Sequence, residues 1–182
     1  YMNMKKIVLM SIILLMTDHL GAHIIDDLSN PNDRNWVYFT DTVMGGVSKG
    51  NLEFKEDKDE SYYRLTGFVN TDNNGGFIQF ATGVSGVPDK KYQGIRIKVR
   101  GNNENYELHI RTRLTPAPWQ YYSYKFYATN EWETIELPLE SFIKSNFYQP
   151  KSFKATNIRS IGIVAIGKDF DAEIDLARIE LY

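Results

Sequence analysis

Trp119 and Tyr121 stand two residues apart in "WQYYSYKFY", and the segment alternates with period two. That spacing sets both rings on the strand face opposite Tyr122, Tyr124 and Phe126. The same alternation in "YELHIRTR" turns Tyr106, Leu108 and Ile110 inward and leaves Glu107, His109, Arg111 and Arg113 outward. In "GIRIKVR" it separates Ile95, Ile97 and Val99 from Arg96, Lys98 and Arg100. If these strands share a sheet, one face gathers Trp119 and Tyr121 with His109, Arg96, Arg111 and Arg113. Aromatic planes beside guanidinium forks suit the stacking and hydrogen bonding of a sugar, and the arginines could equally grip a carboxylate or phosphate. The plainer reading is a solvated face whose cross-strand pairs stabilise the sheet by about 0.2–1 kcal/mol each.

Other chemistry is thinly supplied. No cysteine is present, so disulfides, thiolate metal sites and cysteine nucleophiles are excluded. His109 is the only histidine deep in the domain, and a lone histidine among basic neighbours reads as a surface residue rather than a general base. No G-x-S-x-G elbow supports a serine nucleophile. Asp171, Glu173 and Asp175 are weak candidates for a structural calcium ion, their alternative being ordinary turn chemistry. No cofactor is expected. The net charge of −2 gives no pull toward nucleic acid.

The elements that must position these residues are strands. Twelve tyrosines and ten phenylalanines suit pleated, half-buried surfaces. Alternating segments run 36–39, 51–55, 62–70, 77–81, 94–100, 106–113, 121–127, 132–137, 158–166 and 173–182. Turn-rich stretches separate them, and one helical turn is expected near 141–144. About ten short strands in 182 residues predict an all-β domain, a β-sandwich or jelly roll of two antiparallel sheets. Residues 23–35 read as a polar lead-in.

Two glycine doublets interrupt the strand pattern, Gly45-Gly46 in "DTVMGGVSKG" and Gly75-Gly76 in "NNGGFIQF". Glycine reaches positive φ freely and lets another backbone approach. The doublets are therefore expected to shape bends, with Met44, Val47 and Phe77 as buried plugs beside them. Neither fits a phosphate-binding loop.

The motif Asp41–Gly50, including Asp41, Met44, Gly45, Gly46 and Ser48, precedes "LTGFVNTDNNGGFIQF", with Asn74, Gly75, Gly76 and Phe77. "YQGIRIKVRGNNENYELHIRT" and "WQYYSYKFYATNEWETIELPLESF" follow. This order resembles the complex I intermediate-associated protein 30 family from about Trp36 onward. The resemblance implies a jelly roll of the galactose-binding-like type. Where the family tends to carry a serine–arginine-like ending after N-G-G-F, this chain has Gln79-Phe80-Ala81, and Gly101-Asn102-Asn103 replaces a G-D-G turn. Mitochondrial members are assembly chaperones for respiratory complex I.

At the start, Met4-Lys5-Lys6 precedes an apolar run, Ile7 to Met16, broken only by Ser11. That run has signal-peptide length and is too short to span a bilayer of about 30 Å. Residues 1–22 are expected to be a signal peptide cleaved after Ala22, giving an exported domain with no membrane span. The sequence thus favours a non-catalytic exported binding or assembly-helper domain acting through protein contacts. The second reading is a carbohydrate-binding module using the aromatic–arginine face, and the third is an enzyme on the same scaffold.

Overall fold

Alternating apolar residues on β-branched and aromatic-rich segments need two sheets to bury their inner faces, and the chain supplies them. The computed structural model describes residues 21–182, so the expected signal segment lies outside the described residues apart from Gly21 and Ala22. No helix among the described residues is long and apolar enough to cross a membrane.

The first sheet is built from β3 (Lys49–Glu56), β4 (Ser61–Val69), β12 (Phe170–Leu181), β6 (Gly94–Arg100) and β9 (Glu133–Pro138), in that order. A short β1 (His23–Asp26) pairs with the end of β12. The second sheet runs β10 (Ile143–Lys144), β8 (Tyr122–Ala128), β7 (Glu104–Thr112), β11 (Ile158–Ile166), β5 (Phe77–Gly83) and β2 (Val37–Thr40). Every pairing is antiparallel. The all-β sandwich expected from the sequence is therefore the fold.

The core lies between the sheets. Ile95, Ile97 and Val99 of the first meet Leu108, Ile110, Ile161 and Ile163 of the second, all inaccessible to solvent. At about 25 cal/mol per Å² of apolar surface removed from water, this inner layer is the main source of stability. Tyr106 reaches across, its hydroxyl accepting the Glu173 N–H at 2.9 Å.

Two expectations change. The lead-in is part of the sandwich: Ile25 and Leu28 are buried, and Asp26 accepts the Trp36 indole N–H at 2.8 Å. The helical turn expected near 141–144 is a 3-10 turn at Leu139–Ser141 followed by β10.

Candidate functional site

The two glycine doublets meet at one side chain. Asp41 opens a 3-10 turn, Asp41–Met44, that Gly45 ends at φ 88°. Its carboxylate is fully buried. Oδ1 accepts the Ser48 N–H at 3.0 Å, and Oδ2 accepts the N–H groups of Gly76 at 2.6 Å and Phe77 at 3.3 Å. The Ser48 hydroxyl also donates to Oδ2 and itself accepts the Asn70 N–H at 2.9 Å. Burial works against the charge, but the bonds from Ser48, Gly76 and Phe77 outweigh it and hold the Asp41 pKa below its ordinary value.

A Cβ on Gly46 would stand 2.3 Å from the Asp41 Cγ, and one on Gly75 would stand 2.6 Å from Oδ2. Gly46 and Gly75 are glycine because two loops close around a carboxylate, and Gly45 and Gly76 because the backbone there takes φ 88° and 121°. The plug expectation is corrected: Met44 is 64% exposed and Val47 39%, since Asp41, not an apolar contact, holds the loops. Phe77 is half-buried and packs edge-on against Phe39 with ring centroids 6.4 Å apart.

These loops form one wall of an open groove of about 610 Å³ on the outer face of the second sheet. Val43, Met44, Asn74 and the Gly75–Phe77 backbone line that wall. Strand register builds the floor, with Phe39 of β2 opposite Gln79 of β5, and Gln79 opposite Val164 of β11. Beside this row, Ala81 faces Gly162, which faces His109. A Cβ on Gly162 would come within 2.9 Å of the Ala81 Cβ, so this part of the floor stays low. Gln79 is buried, yet its Oε1 has no hydrogen-bond donor among the described residues. A buried carbonyl without a donor carries a desolvation cost of about 1–3 kcal/mol.

The opposite wall is His109, Arg111, Trp119 and Tyr121. Tyr121 lies flat on the His109 ring, centroids 4.2 Å apart and planes 13° apart. His109 is 3% exposed, and its Nε2 is 2.7 Å from Glu107 Oε2. Burial pushes the His109 pKa down more strongly than Glu107 raises it, which leaves a neutral imidazole donating Nε2–H to the carboxylate. That hydrogen bond, opposed by burial, holds Glu107 below its ordinary value. The surface position expected for His109 is corrected: Tyr121 covers it. The Arg111 guanidinium carbon sits 5.5 Å from the Tyr121 ring centroid, a cation over an aromatic face.

The backbone that carries the two rings is fixed from behind. Tyr121 N–H donates to Ser145 Oγ at 2.9 Å, Ser145 Oγ donates to the Trp119 carbonyl at 2.6 Å, and Gln149 Nε2 donates to the Tyr121 carbonyl at 2.8 Å. Trp119 nevertheless leaves 65% of its surface to solvent. An exposed indole on an anchored backbone offers a stacking face.

The family model of Complex I intermediate-associated protein 30 matches residues 27–176, nearly the whole described chain. The chain belongs to this family. No curated protein matches the sequence. Among solved structures, the family 11 carbohydrate-binding module of a Clostridium thermocellum cellulosomal cellulase superposes with TM-score 0.71 at 18% identity, covering 88% of this chain and 94% of that one. The same module in complex with a β-1,3-1,4-mixed-linked tetrasaccharide gives TM-score 0.71 at 18% identity, covering 88% and 95%. A family 30 carbohydrate-binding module gives 0.53 at 12% identity, covering 75% and 91%. At these identities the likeness concerns the fold.

In this member of the Complex I intermediate-associated protein 30 family, the residues singled out in the sequence divide. His109, Arg111, Trp119 and Tyr121 come together, and the groove also takes in Met44, Asn74, Gly75, Gly76 and Phe77. Arg96 does not join them. It lies on β6 of the other sheet, paired with Glu136 and Glu180 at 2.9 Å each. Arg113 braces the second sheet's end instead, donating to the carbonyls of Thr156, Ile158 and Val84. The calcium candidates are also corrected. Both Asp175 oxygens are held by Arg64 and Arg100 at 2.7–2.9 Å, an environment that repels a cation. No cluster of metal-ligating side chains occurs among the described residues. Sequence reading missed Phe39, Gln79 and Val164. Gln79 had a signal, a polar residue between the buried Ile78 and Phe80 in a strand that alternates.

Proposed function

We propose that the groove on the second sheet is a non-catalytic glycan-binding site, and that the domain acts as a carbohydrate-binding module. The observation that carries this reading is the conjunction in one open groove of two aromatic side chains, Trp119 and Tyr121, with the Gln79 amide on its floor. Pyranose rings present apolar faces to aromatic planes and hydroxyl donors at their edges, so both halves of the groove find partners. A fold shared with glycan-binding modules supports the reading. The neutral, covered His109, with Nε2 committed to Glu107, suits a residue that positions Tyr121 better than one that moves protons.

The test is a glycan array on the purified protein with Trp119→Ala beside it. Binding by the wild type that falls at least about tenfold in the variant, at unchanged melting temperature, supports the site. A folded protein silent across the array overturns it.

The assembly-helper reading keeps one observation of its own. Ile143, Phe147 and Tyr148, just beyond Trp119, are strongly exposed, and exposed apolar patches mark interaction surfaces. Capture of one partner protein, lost on Phe147→Ser with Tyr148→Ser, would favour it. Export is part of the proposal on the strength of the run from Ile7 to Met16, and recovery of a shortened chain outside the cytoplasm tests it.

A further inference from the structure

The arginines of this protein fall into two groups. Arg64, Arg96, Arg100 and Arg178, on the first sheet, each hold a carboxylate. Among the described residues, Arg34, Arg111, Arg113 and Arg159 hold only backbone carbonyls. The second group gathers at one end of the second sheet. Arg34 donates to the Gly83 carbonyl and Arg113 to that of Val84, while Arg159 donates to the carbonyl of Thr112, next to Arg111.

Arg111 is the member of this group that lines the groove. Its sole hydrogen bond among the described residues is a long one, 3.4 Å from Nη2 to the Pro118 carbonyl, so most of its donors remain available. Burial, and then the neighbouring Arg159 charge, push its pKa below the usual arginine value. The group nevertheless stays charged at neutral pH. The acid nearest along its own strand, Glu107, is taken by His109. A part-buried guanidinium beside a second one, with no counter-charge bonded to it among the described residues, is an unfavourable arrangement that a bound anion would relieve.

We infer that the ligand is an acidic glycan, a sugar chain carrying a carboxylate or sulfate that Arg111 holds while the ring stacks on Tyr121 or Trp119. This rests on the groove being a glycan site and adds the class of sugar. The guanidinium fork matches an oxyanion bidentately, and its carbon, 5.5 Å from the Tyr121 ring centroid, places that fork beside the platform a sugar ring would use. A neutral glucan would offer the Arg111 donors hydroxyl acceptors but no counter-charge.

Calorimetric titration decides the matter with four probes: an oligogalacturonate, a sulfated galactan oligosaccharide, a neutral mixed-linked β-glucan oligosaccharide and oligoglutamate as a sugar-free polyanion. One acidic sugar is expected to bind at least about tenfold tighter than the neutral one, and which of the two does so identifies the charge as carboxylate or sulfate. Arg111→Gln should lose at least about tenfold, Arg111→Lys less, and wild-type affinity should fall between about 0.05 and about 0.5 M salt. Should Arg111→Gln fail to fold, Arg111→Lys and the salt dependence carry the decision. Neutral glucan bound as tightly as the acidic sugars, with Arg111→Gln unchanged and Trp119→Ala inactive, would overturn the acidic preference and leave the groove standing. Oligoglutamate bound as well as the acidic sugars, or no oligosaccharide bound at all, would overturn both.

Discussion

Asp41 Oδ2 accepts the Gly76 N–H at 2.6 Å, joining two loops 35 residues apart in the chain. The same carboxylate binds Ser48 and Phe77, so the wall of the groove is organised around one buried charge. Removing it strands several buried donors at once. Asp41→Ala should therefore cost about 3–5 kcal/mol in denaturant melts, since hydrogen bonds to charged groups are worth about 1.5–3 kcal/mol each and do not add fully. A loss under about 1 kcal/mol would show that water or a loop shift replaces the carboxylate.

The glycines around Asp41 should not be equivalent. Gly45 has φ 88° with nothing within 4 Å of a Cβ, so Gly45→Ala meets only the left-handed backbone penalty of about 1–2 kcal/mol. Gly46→Ala places its methyl 2.3 Å from the Asp41 Cγ and must displace the carboxylate. Thermal melts should rank Gly46→Ala well below Gly45→Ala, and equal melting temperatures would contradict the hub.

Much of this was legible in the sequence, and the rest failed for definable reasons. Period-two alternation placed Ile95, Ile97, Leu108 and Ile110 in the core because one strand face must be buried. It could not say which sheet a strand joins, so Arg96 was grouped with His109 although β6 and β7 lie in different sheets. The doublets announced close approach but not the Asp41 carboxylate they approach, because that contact is long-range. His109 read as a surface residue because its cover, Tyr121, comes from outside its own strand. The groove itself emerges only when β2, β5, β11 and β7 are set side by side.

Acid should loosen the His109 wall before it affects Asp41. The folded protein depresses the His109 pKa, so this residue contributes stability fully above its unfolded value of about 6.5, and that stability is lost as pH falls through the lower folded value. Asp41, also depressed in the folded state, contributes above about 3.9 and loses its share only as pH falls below that. Melting temperature should thus decline as pH falls below about 6.5 in the wild type. His109→Gln keeps a donor for Glu107 without a titrating ring and should flatten that part of the curve. Parallel curves would place the acid sensitivity elsewhere.

Asp175 should behave as the counter-ion of two arginines and not as a metal ligand. It is buried, and its oxygens face Arg64 and Arg100. Asp175→Asn should destabilise by about 3 kcal/mol, because both guanidiniums lose their shared charge. A chelator should leave the wild-type melting temperature unchanged. A drop of several degrees on chelation, restored by calcium, would contradict this assignment.

Gln79 offers the sharpest separation of stability from binding. Its Oε1 is a buried acceptor without a donor among the described residues, which folding alone does not reward. Gln79→Leu removes that polar atom at similar volume, so the melting temperature should hold or rise. Ligand affinity should fall, since a sugar hydroxyl would lose the Gln79 amide as a partner on the groove floor, by about 1 kcal/mol or roughly fivefold. A core residue repacked by mutation would give the opposite pattern, with stability falling and binding following it. A variant that melts lower and binds equally well would mean that the amide is satisfied within the fold and that the groove floor reads nothing.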